Sequence, residues 1–232
     1  MPSPLPPIMR MSWLDLCFLN WPVDAAKLAA TLPQGVTLDT FAGQAWLSVV
    51  PFRMEHVAPR FLPDIAGLSA FPELNLRTYV RVGGVSGVWF YSLDAAQPLA
   101  VRLARQFFYL PYFDAQMWLD RQGEVVRYAS QRTHKGEPAA AFAGAYKPRG
   151  PVFQARAGTL EDWLTNRLAL YSANGSRVYR GRISHAPWPL QRAEAEIAIN
   201  TLTDALGIEL VGEPLALYSH RLDVVAWLLE RA

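Results

Sequence analysis

Phe71-Pro72-Glu73-Leu74-Asn75-Leu76-Arg77-Thr78-Tyr79-Val80-Arg81-Val82 leads into Gly83-Gly84, and a second apolar run follows from Gly87 to Leu93. Side chains of a β-strand alternate between its faces. Glu73, Asn75, Arg77, Tyr79 and Arg81 therefore share one face, and Leu74, Leu76, Thr78, Val80 and Val82 share the other. Two glycines between the runs supply the left-handed conformations of a tight hairpin, so an antiparallel pair is expected, Glu73 to Val82 with Gly87 to Leu93. The apolar face is core. The polar face is either solvent-exposed sheet or the lining of a cavity inside a barrel. Burying a carboxylate and guanidinium groups is costly unless they pair or hold a ligand, so the cavity reading requires Glu73 and Arg77 to be matched.

The same strand-and-turn grammar extends outward. Upstream, residues 1 to 10 hold four prolines and read as a frayed tail. Ser12 to Trp21 reads as a buried strand, and Asp24 caps a helix over Ala25 to Leu32. Leu38 to Phe41 and Gln44 to Met54 are expected as a hairpin about Ala42-Gly43, and residues 57 to 72 as a long loop that could serve as rim or lid. Downstream, Pro98 opens a helix to Phe108 with Leu99, Leu103 and Phe107 on one side. Tyr112 to Leu119 and Val125 to Gln131 form a hairpin about Gln122-Gly123, and residues 140 to 146 and 151 to 157 form another, broken by Pro148 and Gly150. Thr159 starts a helix to Leu168. Asn174-Gly175 is a type I′ turn before a strand from Arg177 to Ser184. Strand Gln191 to Ile197, a short helix near Leu202 to Leu206 and a final strand Leu217 to Val225 complete the chain.

Many short strands with close turns and three or four helices specify an α+β fold, a curved antiparallel β cone or barrel with peripheral helices. The 232 residues, 51% of them hydrophobic, suit one core, so residues 11 to 232 are expected to form a single domain. A net charge of +2, with basic residues spread along the chain, does not indicate a nucleic-acid partner. No apolar run approaches the roughly 20 residues of a membrane span, and no secretion signal opens the chain. Cys17 is the single cysteine, which fits a reducing compartment, so a cytoplasmic location is expected.

Tests for chemistry are mostly negative. His56, His134, His185 and His220 lack short ligand spacing, so no metal site is expected; of these, only His185, within Ser184-His185-Ala186-Pro187-Trp188-Pro189, sits among enough special residues to be a site candidate. No nucleophile elbow or nucleotide fingerprint occurs, and no cofactor is implied. A second alternating strand supports a cavity: Tyr112, Asp114, Gln116 and Trp118 share a face opposite Phe113, Ala115, Met117 and Leu119. An exposed sheet produces the same alternation.

Several stretches resemble the YqjF-like family of bacterial proteins, domain of unknown function 2071. They are Trp13-Leu14-Asp15-Leu16 with Asn20-Trp21-Pro22-Val23, Val49-Val50-Pro51-Phe52-Arg53-Met54, Glu73-Leu74-Asn75 to Tyr79-Val80, Leu93-Asp94-Ala95, Leu110-Pro111-Tyr112, and His185-Ala186-Pro187-Trp188-Pro189-Leu190. The match runs in order from Met11 to Trp227. That family is in turn distantly similar to the acetoacetate decarboxylase-like superfamily, which implies a cone-like antiparallel barrel with a central cavity. By this resemblance Glu73 stands for the cavity glutamate, Asp94 for a strand-end aspartate and Arg105 for an arginine. Tyr112 and Phe113 stand where the decarboxylases carry a lysine pair, the first of which forms the Schiff base. Imine chemistry needs an activated amine, so that route is not expected here.

The resulting expectation is a small-molecule site with Glu73 and Arg77 as catalytic candidates. Tyr79, Trp89, Tyr112, Gln116 and His185 are its substrate-binding candidates. A lyase, isomerase or hydratase acting on a keto or carboxylate compound would suit those groups. Two alternatives stay open: a non-catalytic binding module of the same fold, and an interaction protein whose exposed aromatics form a homodimer patch.

Overall fold

Gly83 and Gly84 take φ of 56° and 81° in a computed structural model of the chain, and β4 (Phe71–Val82) turns there into β5 (Val85–Ala95). The two strands pair antiparallel from Glu73↔Ala95 to Val82↔Val85. Residues 6–65 and 67–232 are described. The expected tail therefore lies partly outside the described residues, and the rest of it feeds β1 (Met9–Val23). The remaining elements are α1 (Ala25–Ala29), β2 (Thr37–Leu38), β3 (Ala45–Pro59), α2 (Pro98–Phe108), β6 (Tyr112–Gln122), β7 (Val125–Arg132), β8 (Ala141–Phe153), α3 (Leu160–Thr165), β9 (Ala169–Asn174), β10 (Arg177–His185), β11 (Leu190–Asn200), β12 (Leu215–Ala226) and β13 (Glu230–Arg231).

Two strands fork. The first half of β5 pairs with β9 at Val88 and Trp89, and its end pairs with β6 at Leu93 to Ala95. Likewise β12 meets β11 at Leu217 and Tyr218 and β10 at Val224 to Ala226. The order β5-β6-β7-β8-β11-β12-β1-β3-β4 returns to β5 and closes a curved ring of nine strands. A second circuit runs β5-β9-β10-β12 and back through β1, β3 and β4. Strands β12, β1, β3, β4 and β5 are thus a wall common to both.

The wall has a core on each face, as strand alternation dictates. Leu19, Leu47, Val49, Leu74 and Leu76 pack with Tyr128, Phe142, Tyr146 and Tyr218 on one side. On the other, Phe18, Val50, Phe52 and Leu93 pack with Tyr112, Trp188 and Leu190. Each fully buried aliphatic or aromatic side chain contributes about 1.5–3 kcal/mol, so both faces stabilise the wall. Cys17 is buried in the first core, and loss of hydration pushes its thiol pKa far up. The folded protein is accordingly expected to be inert to a thiol reagent, with labelling appearing only in the unfolding transition; fast labelling of the native state would show that Cys17 is reachable.

Several expectations need correction. The hairpin 38–41/44–54 is reduced to a Phe41↔Gln44 bridge, because β2 pairs with β4 instead of β3. Residues 141 to 153 form one strand, β8, since β7 pairs with its first half up to Tyr146 and β11 pairs along it past Pro148 and Gly150 to Phe153. The helix expected near 202 to 206 is a 3-10 turn, Asp204–Leu206. Two pairings of β5 are parallel, the one to β6 being bridged by α2. The α2 period is as expected but its facing differs. Leu99, Leu103 and Phe107 are 47%, 47% and 61% exposed. The helix docks instead through Val101, with Ala100, Ala104 and Phe108 against the Phe52 core. The small alanines let the helix axis approach the sheet, where leucines would hold it off.

Candidate functional site

Glu73 lies on the second-core face of the wall, opposite Phe52 of β3, and is 2% exposed. The Tyr112 hydroxyl donates to its Oε2 at 2.8 Å, and the Tyr128 hydroxyl donates to its backbone carbonyl at 2.7 Å. Loss of hydration raises the Glu73 pKa to about 8; the Tyr112 hydrogen bond opposes this, and the nearby Asp94 charge adds to it. A carboxylic acid in this state is neutral at pH 7. Tyr112 is itself held protonated, first by burial and then by the adjoining carboxyl.

Further along the same face, Asn75 is buried and Arg77 is half-buried. The Arg77 guanidinium lies 5.1 Å from the Phe18 ring centroid and reaches the Leu164 carbonyl only at 3.5 Å. Phe18 meets Trp188 edge-on at 4.9 Å, Trp188 stacks on Trp13 at 5.8 Å, and Trp13 meets Phe52 edge-on at 6.0 Å. These rings form an aromatic box on the wall face that carries Glu73, Asn75 and Arg77, with Phe52 beside Glu73 and Phe18 against Arg77. Within it, Asn75 Oδ1, Arg77 Nε and Trp13 Nε1 are buried with no hydrogen-bond partner. Buried polar atoms are nearly always satisfied, so the unpartnered Asn75 and Arg77 atoms, on the strand face that carries Glu73, are free to bind a further group.

At the β5 end, Arg132 of β7 makes a bidentate pair with Asp94, Nε to Oδ1 at 2.7 Å and Nη2 to Oδ2 at 3.1 Å. Their side chains are 7% and 1% exposed. Burial pushes the Asp94 carboxyl up, and the guanidinium pulls it back down. Arg132 also lies 4.2 Å from the Phe113 ring centroid. Arg105 of α2 lies over the same ring at 5.4 Å and donates to the Tyr112 carbonyl at 2.8 Å. These contacts fix the backbone from which the Tyr112 phenol reaches Glu73.

The seven sequence candidates separate into groups. Glu73 and Tyr112 are in direct contact, and Arg77 shares their strand face. His185 sits at the edge of the box, its ring 5.2 Å from Trp188 and 6.5 Å from Trp13. Its Nδ1–H donates to the Ala186 carbonyl at 2.7 Å, which leaves Nε2 as a lone pair. Burial lowers its pKa and the backbone bond opposes the shift, so the ring stays neutral. Tyr79 is fully buried under Trp163, its hydroxyl shared with Ser48 at 2.7 Å and Asn20 at 3.3 Å. Two candidates lie elsewhere. Trp89 pairs with Thr78 and packs on the opposite face with Val80 and Tyr171. Gln116 is exposed on the outside of β6, because the strand has left the second core three residues past Phe113. Arg81 is likewise exposed, paired to Asp39 at 3.0 Å. Sequence reading missed Trp13, Phe18, Tyr128 and Arg132. Of these only Trp13 had a signal, as the first residue of a quoted family motif.

Among the described residues, no group of three His, Cys, Asp or Glu side chains could hold a metal ion, and no helix is long and apolar enough to cross a membrane. The acetoacetate decarboxylase of Legionella pneumophila superposes at TM-score 0.64 with 14% identity, covering all of this chain and 92% of that one. An acetoacetate decarboxylase-like enzyme of Sphingomonas wittichii RW1 gives 0.64 and 14%, covering 98% and 94%. The enduracididine biosynthesis enzyme MppR in complex with pyruvate gives 0.67 and 12%, covering 98% and 91%. At such identities these likenesses establish the fold alone. In sequence, uncharacterized protein YqjF of Bacillus subtilis (strain 168) is 47% identical over 225 residues, 97% of this chain and 92% of that protein. Residues 10–223 match the family described as an uncharacterized conserved protein, domain of unknown function 2071. On that match and that identity, the chain belongs to the YqjF-like family of domain of unknown function 2071, built on an acetoacetate decarboxylase-like fold.

Proposed function

We propose that the Glu73 site is an enzyme active site for a small keto or carboxylate compound, working by general acid–base chemistry without a cofactor. Arg77 holds the substrate's carboxylate, using the Nε–H that has no partner in the chain. Glu73 delivers or removes a proton at the reacting carbon or its oxygen, with Tyr112 holding the carboxyl in place and the aromatic box excluding water. Such a set suits a lyase, isomerase or hydratase. The observation that carries the reading is a buried carboxyl whose pKa is raised to about 8, on the same strand face as an arginine whose Nε–H has no partner. A pyruvate complex of a protein of the same fold is consistent with it.

A screen of keto and carboxylate metabolites by thermal shift tests the assignment. A hit is expected to lose its shift in Arg77→Met, whereas Glu73→Gln keeps binding and loses turnover by about 10²–10⁴-fold. A shift that survives Arg77→Met unchanged sinks the reading. The alternative, a non-catalytic binder, is favoured by one feature: Tyr112-Phe113 stands where the related decarboxylases have lysines, so the box has no nucleophilic amine there. Saturable binding without product would decide for it.

A further inference from the structure

Among the described residues, Glu124, Glu196, Asp204, Glu209 and Glu213 are the acidic side chains with neither an ion pair nor a side-chain hydrogen bond. The other carboxylates are matched by arginine, lysine, histidine, a hydroxyl, a side-chain amide or a backbone N–H. Four of the five, all but Glu124, line one cavity of about 890 Å³, and no lysine, arginine or histidine lines it. In a chain of net charge +2 this segregation does not follow from composition. The cavity is bounded by the end of β11, the 3-10 turn and residues 207 to 214, and it shares no lining residue with the Glu73 site.

A second feature points to an occupant. Thr203 lines the cavity and is 4% exposed, yet its side chain makes no hydrogen bond. What remains accessible of it opens on the cavity. Apolar surface completes the walls, from Trp21, Ile208 and Leu210. The Trp21 indole N–H donates to the Gly212 carbonyl at 3.0 Å and ties the 207–214 segment over the space.

The carboxylates are too dispersed to chelate one metal ion. Separated negative charges around an apolar wall fit separated positive charges joined by hydrocarbon. We propose that this cavity binds a linear aliphatic polyamine. Its ammonium groups pair with Glu196, Asp204, Glu209 and Glu213, one of them also donates to the Thr203 hydroxyl, and its methylenes lie along Trp21, Ile208 and Leu210.

Titration calorimetry with spermidine at about 0.15 M salt, where diffuse surface attraction is screened, tests this. One saturable site is expected, weakened at least about tenfold in the double variant Glu209→Gln/Glu213→Gln. Glu124→Gln removes the same charge outside the cavity and should leave affinity unchanged. Magnesium at equal ionic strength should not displace the polyamine. No saturable heat, unchanged affinity in the double variant, equal weakening by Glu124→Gln, or displacement by magnesium would each overturn the proposal. The substituted side chains are exposed, so the variants are expected to keep the parent thermal midpoint.

Discussion

Glu73→Gln is expected to abolish a fall in stability that the parent shows between about pH 4.5 and 8. The folded protein holds the Glu73 proton up to about pH 8, whereas the unfolded chain releases it near 4.5. Between those values the folded state binds more protons than the unfolded one, so unfolding free energy decreases as pH rises. The contribution is fully present below pH 4.5 and gone above 8. A difference of that size corresponds to about 4–5 kcal/mol across the window. Glutamine keeps the shape and cannot ionise. Denaturant midpoints of parent and variant, measured across the window, should therefore lie close together at low pH and separate towards pH 8 in favour of the variant, because only the parent's unfolded chain gains by ionising at this position. Parallel curves would mean that Glu73 is already ionised in the folded protein and would remove the general acid from the site.

The second large effect belongs to the Asp94–Arg132 pair. With side chains 1% and 7% exposed, each charge is tolerated only because the other faces it. Arg132→Met leaves Asp94 buried and uncompensated and is expected to cost about 3–5 kcal/mol. Combining it with Asp94→Asn should recover a substantial part, because the stranded charge is then gone. Urea unfolding of the two single variants and the double variant measures this. A double variant no more stable than Arg132→Met alone would show that the loss came from packing against Phe113 and not from charge.

Much of the fold was legible because it is written locally. Alternation from Glu73 to Val82 and the Gly83-Gly84 turn specify β4 and β5 within a few residues, and Gln122-Gly123 does the same for its hairpin; at Asn174-Gly175 the chain turns where expected, but only Gly175 has positive φ, so the turn is not type I′. Which way a polar face points is not local. Glu73 and Arg77 lie on the second-core face, where β1 brings Phe18 against Arg77 and β3 sets Phe52 beside Glu73, and no window around residue 77 contains that information. The same limit hid Arg132, which lies 38 residues from Asp94. It also misdirected Trp89 and Gln116, whose strands run past the edge of the second core. For α2 the 3.6-residue period was readable, but the leucines were taken for the buried side when the alanines make the close approach.

The pairing of β1 with β12, Met9↔Ala226 through Asn20↔Leu215, joins nearly the first described residues to nearly the last. During synthesis β1 must wait, with one edge unpaired and both faces apolar, until β12 is available to pair with it. Closure therefore depends on β12, and loss of that strand would leave an aggregation-prone edge in place of a shortened but folded protein.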